Sequence, residues 1–330
     1  MNPLTALYGG VTALRNTLFE RGILRSRRLR QPVVSVGNLS VGGSGKTPFV
    51  IALGELLQAR GIRFDVLSRG YRRKTSGILI VDPEGQASDF GDEPLLIARR
   101  LRVPVIVGES RCEAGRIAEE KVQSQLHILD DGFQHRSLAR DFDIVLLTEH
   151  DFDDALLPAG RLREPLSSLA RADAIVLPAD VALDPKLGHP TRGHPKLDYP
   201  ALRGKPIWRV ERELILPYQH SDSAAPIVFC GIARPEQFFA QLRAAGIKPA
   251  AEIAFRDHHA YSKTDIARLL AMRSKLGAGG FLTTEKDAIN LGPEQRALEP
   301  LAIATLKLTL ANPAEIVDTI LAKTIFRPMP

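Results

Sequence analysis

Between the apolar run Val33-Val34-Ser35-Val36 and a helical pattern that starts near Lys46 lies GNLSVGGSGKT, residues 37 to 47. A strand that runs into three glycines, a lysine and a threonine, and then into a helix, leaves few folds open. Gly42, Gly43 and Gly45 let backbone N–H groups converge with no Cβ in the way. The helix behind them turns its unpaired N–H groups and dipole toward an anion. Lys46 supplies a reaching cation, and the Thr47 hydroxyl is placed to bind Mg²⁺. Ser40, Val41, Gly42, Gly43, Ser44, Gly45, Lys46 and Thr47 are therefore predicted to cradle the phosphates of a nucleotide. The strict pattern GxxxxGK[ST] has glycine where this chain has Ser40, which loosens the match at the turn out of the strand. The order strand, loop, Lys-Thr, helix is nevertheless complete.

From residue 32 short apolar runs alternate with helical patterns: PVVSVG, PFVIALGELLQARG, FDVLSRG, PLLIARRL, VPVIVG, EAGRIAEEKV, HILDDG, DIVLLTE and AIVLP. Strand alternating with helix predicts an α/β fold, a P-loop NTPase-like parallel sheet with helices on both faces, whose ligands sit at the carboxyl ends of the strands. Residues 179 to 205, rich in Pro, Gly and charge, read as a linker region. The rhythm then resumes in PIVFCGI, PEQFFAQLRAAG, residues 251 to 255, SKTDIARLLAMRSKLG and GFLTTE. The expected organisation is a helix and arm over 1–30, a P-loop domain over 31–205, and a second, smaller α/β domain over 206–330. PIWRVEREL and LAIATLKLTL bracket that smaller domain and are candidates to pair as a connecting ribbon.

Leu4, Leu7, Tyr8, Val11, Leu14 and Leu18 recur at helical spacing, and Arg15, Arg21, Arg25, Arg27, Arg28 and Arg30 accompany or follow them against Glu20 alone. This first segment holds +5 of the chain's formal +6. A basic arm on a near-neutral body argues against a nucleic-acid-binding face and for a local anionic partner. The helix either lies on an anionic membrane surface or packs on the protein's own core. Cys112 and Cys230 are far apart with no CxxC neighbour, so neither a disulfide framework nor a structural zinc site is expected. No apolar run reaches a membrane span, no signal-peptide pattern opens the chain, and a cytoplasmic protein is expected.

A nucleotide loop needs an acidic strand end beside it to hold the metal. HILDDGFQHR supplies one, with Asp130 and Asp131 at the carboxyl edge and Gln134 and His135 extending the cluster. GDEP, residues 91 to 94, opens a helical pattern with Asp92 in the cap position. FRDHHAY places Asp257, His258 and His259 after a short apolar run, where spacing alone favours surface or capping residues over catalytic ones.

Taken together, GNLSVGGSGKTP, LSRGY, GDEP, VIVGESR, LDDGFQHR, LPAGRLREP, FCGIARPEQF, FRDHHAY and TTEKDA occur in one order that closely resembles the tetraacyldisaccharide 4'-kinases of lipid A biosynthesis. The resemblance runs from the N-terminal helix to about residue 310. It implies ATP and Mg²⁺ as cofactors, and transfer of the γ-phosphate to the 4'-hydroxyl of an acylated glucosamine disaccharide 1-phosphate. It also implies two α/β/α domains joined by a two-stranded linker, with the site between them. It points to Asp92 as base, to His258 as the residue that orients Asp92 or tunes its pKa, and to Thr47 with one or more of Glu93, Asp130 and Asp131 as metal ligands. Arg72, Arg111 and Arg163 are candidate contacts to the substrate's 1-phosphate or to the transferring group, and Gln134 and His135 are further candidate substrate contacts. Work on an acylated substrate implies a peripheral place on the inner face of the inner membrane, reached through the N-terminal helix. Arg161 stands where proline is expected in many relatives, which puts a role for that turn in doubt. Two other classes remain open at this point: a GTPase switch, whose guanine element TEKD lacks the spacer between Lys286 and Asp287, and a membrane-associated ATPase that leaves the lipid unchanged.

Overall fold

A computed structural model describes residues 2–181, 200–217 and 225–325. The first lobe contains β1 (Val33–Asn38), β2 (Phe64–Ser68), β3 (Leu79–Ile80), β4 (Val105–Val107), β5 (Leu126–Asp130), β6 (Phe142–Leu146) and β7 (Ala174–Pro178). β1, β2, β4, β5 and β6 are buried at every position, as central strands covered on both faces must be. Beyond them come β8 (Ile207–Ile215), β9 (Ile227–Cys230), β10 (Ala251–Ala254), β11 (Phe281–Thr284) and β12 (Leu301–Leu310). All twelve join one sheet in the order β10-β9-β11-β12-β8-β7-β6-β1-β5-β2-β4-β3.

The helices are α1 (Pro3–Glu20), α2 (Lys46–Ala59), α3 (Ala87–Phe90), α4 (Asp92–Leu101), α5 (Arg111–Lys121), α6 (Pro235–Ala244), α7 (Lys263–Leu276), α8 (Glu285–Leu291) and α9 (Pro313–Lys323). In α4 the cap position belongs to Gly91, and Asp92 is the first helical residue, so the helix starts one residue earlier than the sequence suggested.

The expected ribbon is present. β8 runs parallel to β7 from Ile207 to Val210, then pairs antiparallel with β12, Val210 opposite Leu310 and Ile215 opposite Thr305. The first four residues of β12 pair in parallel with β11. Each ribbon strand therefore belongs to one lobe at one end and to the crossing at the other.

Packing does not follow a cut at residue 205. The largest core cluster joins Val34, Val36, Phe49, Leu53 and Phe142 to Trp208, Leu310, Ile316, Val317, Ile320 and Leu321. Each of those α9 side chains is at most 3% exposed, so each stabilises the first lobe by about 1.5–3 kcal/mol. The second lobe has separate clusters around Phe229 and Phe281 and around Val228 and Leu242. Most of the linker expected over 179–205 lies outside the described residues.

At Gly37 a Cβ would lie 2.5 Å from Phe133 Cβ and 2.7 Å from the Phe133 backbone nitrogen. Only glycine lets the end of β1 touch the turn that follows β5. That contact sets the phosphate loop beside Asp130 and Asp131.

Candidate active site

A cleft of about 910 Å³ between the lobes is lined by the predicted loop from Val41 through Thr47 and by Asp92, Glu93, Asp130, Asp131 and His258. Loop and helix meet as the sequence predicts: α2 begins at Lys46, and Gly45 precedes it with φ of 88°, a conformation that glycine adopts without strain. Ser40 does not have a positive φ, so its Cβ causes no strain at the position where the strict pattern has glycine. It is buried, with its hydroxyl unpartnered, as is that of Ser44.

Lys46 Nζ donates to Asn38 Oδ1 at 3.1 Å and lies 3.5 Å from Asp131. Arg163 donates to both Asp131 oxygens at 3.1 and 3.0 Å, to Gln134 Oε1 at 3.1 Å and to Asn38 Oδ1 at 3.3 Å. Gln134 in turn donates to the Asn38 carbonyl. Burial pushes the Asp131 carboxyl up, but the Lys46 and Arg163 charges outweigh it and leave it below the ordinary carboxylate range.

Its neighbour Asp130 behaves in the opposite way. Burial, then the charges of Glu93 and Asp131, raise its pKa to about 7. Ser68 donates to one of its oxygens at 3.1 Å, while the other is buried without a partner. An orphaned carboxylate oxygen that feels the charge of Glu93, in a cleft that Thr47 also lines, suits a divalent cation. Among the described residues no three His, Cys, Asp or Glu side chains cage a metal by themselves. Mg²⁺ ordinarily takes one or two carboxylates and completes its shell with water and substrate phosphates, and this donor set fits it.

Across the cleft, His258 Nδ1 lies 2.7 and 3.0 Å from the Asp92 oxygens, and Asn290 donates to Asp92 Oδ2 at 3.1 Å. Lys286 Nζ is 3.2 Å from His258 Nε2, 3.2 Å from Glu93, 3.8 Å from Asp257 and 3.9 Å from Asp92. An ammonium can only donate, so Nε2 holds the lone pair and Nδ1 carries the proton it gives to Asp92. Burial pushes the Asp92 carboxyl up, yet the His258 hydrogen bond and the Lys286 charge prevail and hold it below its ordinary value. Lys286 goes the other way, its burial outweighed by Glu93, Asp92 and Asp257, which raise it.

The remaining predicted residues all line the same cleft, with different partners. Arg72 donates to the carbonyls of Asp257 at 2.5 Å and His258 at 3.1 Å, and so braces the loop that carries the histidine. Arg111 is buried, donates to the Glu109 carbonyl and leaves its Nε unpartnered. His135 is pushed down to about 4 by burial and the Arg111, Arg140 and Arg69 charges, and is neutral near pH 7. Sequence reasoning passed over Asn38 and Asn290, and weighed Lys286 only as part of a guanine element. Asn38 stood in GNLS and Lys286 in TTEKDA, but neither type has a fixed role at that spacing. Asn290, well inside α8, gave no signal.

Known proteins resemble this chain in sequence and in fold. The family model for LpxK, tetraacyldisaccharide-1-P 4'-kinase, matches residues 1–325. The tetraacyldisaccharide 4'-kinase of Koribacter versatilis is 48% identical over 328 residues, 97% of this chain and 98% of its own. That of Aquifex aeolicus is 39% identical over 303 residues, 88% of each chain. The crystal structure of apo-form Aquifex aeolicus LpxK in complex with ATP superposes with a TM-score of 0.75 at 35% identity, covering 98% of both chains. Sequence, fold and cleft together make this chain a member of the tetraacyldisaccharide-1-P 4'-kinase family.

Proposed function

We propose that the protein transfers the γ-phosphoryl group of ATP to the 4'-hydroxyl of a tetraacyldisaccharide 1-phosphate, a step of lipid A synthesis. The observation that carries this reading is the meeting, in one cleft, of a phosphate loop from the first lobe with an Asp92–His258 pair that spans both lobes. A carboxylate there could activate water as well as a sugar hydroxyl, so the choice of the kinase over a simple ATPase rests on membership of the family.

The loop amides and Lys46 hold the β- and γ-phosphates and neutralise their charge. Mg²⁺ would be held by Thr47 and Asp130, with Glu93 or Asp131 beside them, and supplies charge neutralisation on the phosphates. Asp92, ionised and oriented by His258, takes the proton of the acceptor hydroxyl as its oxygen attacks the γ-phosphorus. The bond from that phosphorus to the β,γ-bridging oxygen breaks, and its electron pair leaves with ADP. Arg163 keeps Asp131 and Gln134 in place, while Arg111 and the neutral His135 face the acceptor side. Mass spectrometry of the lipid after incubation with Mg·ATP tests this directly. A gain of one phosphoryl mass matched by ADP is expected; stoichiometric free phosphate with unchanged lipid would leave the ATPase reading instead.

The surface of α1 supports work at a membrane. Its polar side is the side that packs: Tyr8 donates to the Arg163 carbonyl, and Arg15 and Asn16 both bond the buried Glu164. Leu4, Leu7, Val11 and Leu14 are 60–65% exposed. Arg21 and Arg25, exposed just beyond, have no ion pair among the described residues, whereas Arg28 and Arg30 are paired to Asp141 and Glu119. An outward apolar stripe with cations at one end fits the surface of an anionic bilayer, the inner face of the inner membrane in this reading. No helix among the described residues is long and apolar enough to cross a membrane. Leu7→Glu combined with Leu14→Glu is expected to reduce sedimentation with anionic vesicles at least several-fold and leave thermal stability unchanged. Undiminished sedimentation would remove the helix from the membrane contact.

A further inference from the structure

We infer that Arg212, on the ribbon between the lobes, is a catalytic residue whose guanidinium binds the triphosphate of the nucleotide. The inference rests on the kinase reading above and adds to it a contact from outside the loop.

Arg212 lies on β8 opposite Leu308 of β12, and its guanidinium reaches down to the loop. Nη2 donates to the Ser44 carbonyl at 3.0 Å and would lie 3.1 Å from a Cβ placed on Gly45. Glycine at that position therefore serves two purposes: it makes the turn into α2 and leaves room for the arginine. Ser44 and Gly45 immediately precede Lys46, and Arg212 lines the same cleft as all three.

Asp180 eases the charge of Arg212 from a distance without pairing with it. Among the described residues no carboxylate lies within 4 Å of Arg212, and its Nε is buried with no partner. Two more guanidiniums crowd the same loop. Arg161 donates through Nε and Nη2 to the Val41 carbonyl, with Nη2 2.6 Å from a Cβ placed on Gly42. The Arg234 side chain packs 3.6 Å from a Cβ placed on Gly43. Neither has an ion pair among the described residues. Three arginines from three segments, the turn after β6, the ribbon and the second lobe, close around one loop, and among the described residues none of the three has an ion pair; Asp180 and Asp151 act on Arg212 and Arg234 only from a distance. Burial pulls Arg212 and Arg234 down, and the cations lower one another further, Arg234 acting on Arg212 and Arg161 on Arg234. A polyanion relieves that repulsion, and guanidinium matches phosphate geometry with paired N–H donors. As the electron pair of the breaking bond moves onto the β-phosphate, a guanidinium beside it stabilises the charge that develops.

Phosphate could also come from the lipid's 1-phosphate, so binding is measured with Mg·ATP alone. Arg212→Gln is expected to weaken ATP binding about tenfold or more and to lower kcat, with Arg212→Lys recovering part of both. Glu211→Gln, an exposed neighbour on the same strand, is expected to match the native protein and controls for ribbon damage. Should Arg212→Gln melt early, the lysine variant decides by the same criterion. ATP affinity and kcat within twofold of native would overturn the assignment. A change confined to the KM for the lipid would overturn it too, by moving the contact to the acceptor. A native protein that fails to bind ATP would remove this inference together with the kinase reading.

Discussion

Lys46→Ala is expected to lower turnover by about 10³-fold, with a thermal midpoint close to that of the native protein. The small effect on stability follows from the neighbours that remain. Arg163 already bonds both Asp131 oxygens and Asn38 Oδ1, so removal of the ammonium strands neither a charge nor an acceptor. The large effect on rate follows from reach. Lys46 is the first residue of α2, and its side chain, only 13% exposed, is held toward the strand end by Asn38. No other lysine among those lining the cleft starts from the loop, since Lys286 is engaged with Glu93 and His258 on the far side. Single-turnover kinetics beside a melting curve make the check, and near-native turnover would remove Lys46 from the chemistry.

Asp92→Asn is expected to cost about 10²–10⁴-fold in kcat while leaving ATP affinity within a few-fold of native. The substitution preserves shape and removes only the basic oxygen. Because the carboxyl is held below its ordinary value of 3.8, its basic form persists throughout the neutral range in the native protein. His258→Ala removes the strongest holder of that carboxylate but leaves Asn290 and Lys286 beside it, so a smaller loss is expected. The double variant should be no slower than Asp92→Asn alone, because groups that act as one unit are not additive. Losses that multiply would show that His258 acts on the substrate independently, and Asp92→Asn within tenfold of native would end its assignment as base.

The phosphate loop, the alternation of strand and helix around it and the bridging ribbon were legible in the sequence because each rests on local signals: glycines at fixed offsets, buried runs, and two alternating strands at the ends of a domain. The pairing of Asp92 with His258 was not local. The two lie 166 residues apart, and only the likeness of GDEP and FRDHHAY to a known family joined them. Spacing alone favoured a helix cap for the first and a surface residue for the second, and both elements do stand at helix or loop starts.

The arginines show where sequence reasoning ends. Arg72, read as a phosphate contact, also gives its Nη1 to the backbone of the His258 loop. Arg212, read only as part of a ribbon strand, has its guanidinium on the phosphate loop. A guanidinium reaches far from its Cα, so its partner depends on tertiary placement that neither periodicity nor motif encodes. The orientation of α1 escaped for a related reason: a helical apolar stripe identifies a face, while what covers that face depends on whether a buried carboxylate such as Glu164 attracts the opposite one.

The ribbon and α9 also bear on the order in which the molecule can be made. The first lobe begins with β1 at residue 33 but is completed only by Leu308, Leu310 and the α9 side chains up to Leu321. During synthesis at about 5–20 residues per second, the chain from β8 to α9 takes on the order of ten seconds to appear. Throughout that interval the face of α2 that α9 will cover is without its partner. The second lobe, whose clusters lie almost wholly between Ile227 and Ala304, has all its residues before then. Although nascent chains generally fold from the amino end, here the later lobe can be finished first, and the core of the nucleotide-binding half is complete only when α9 has been made.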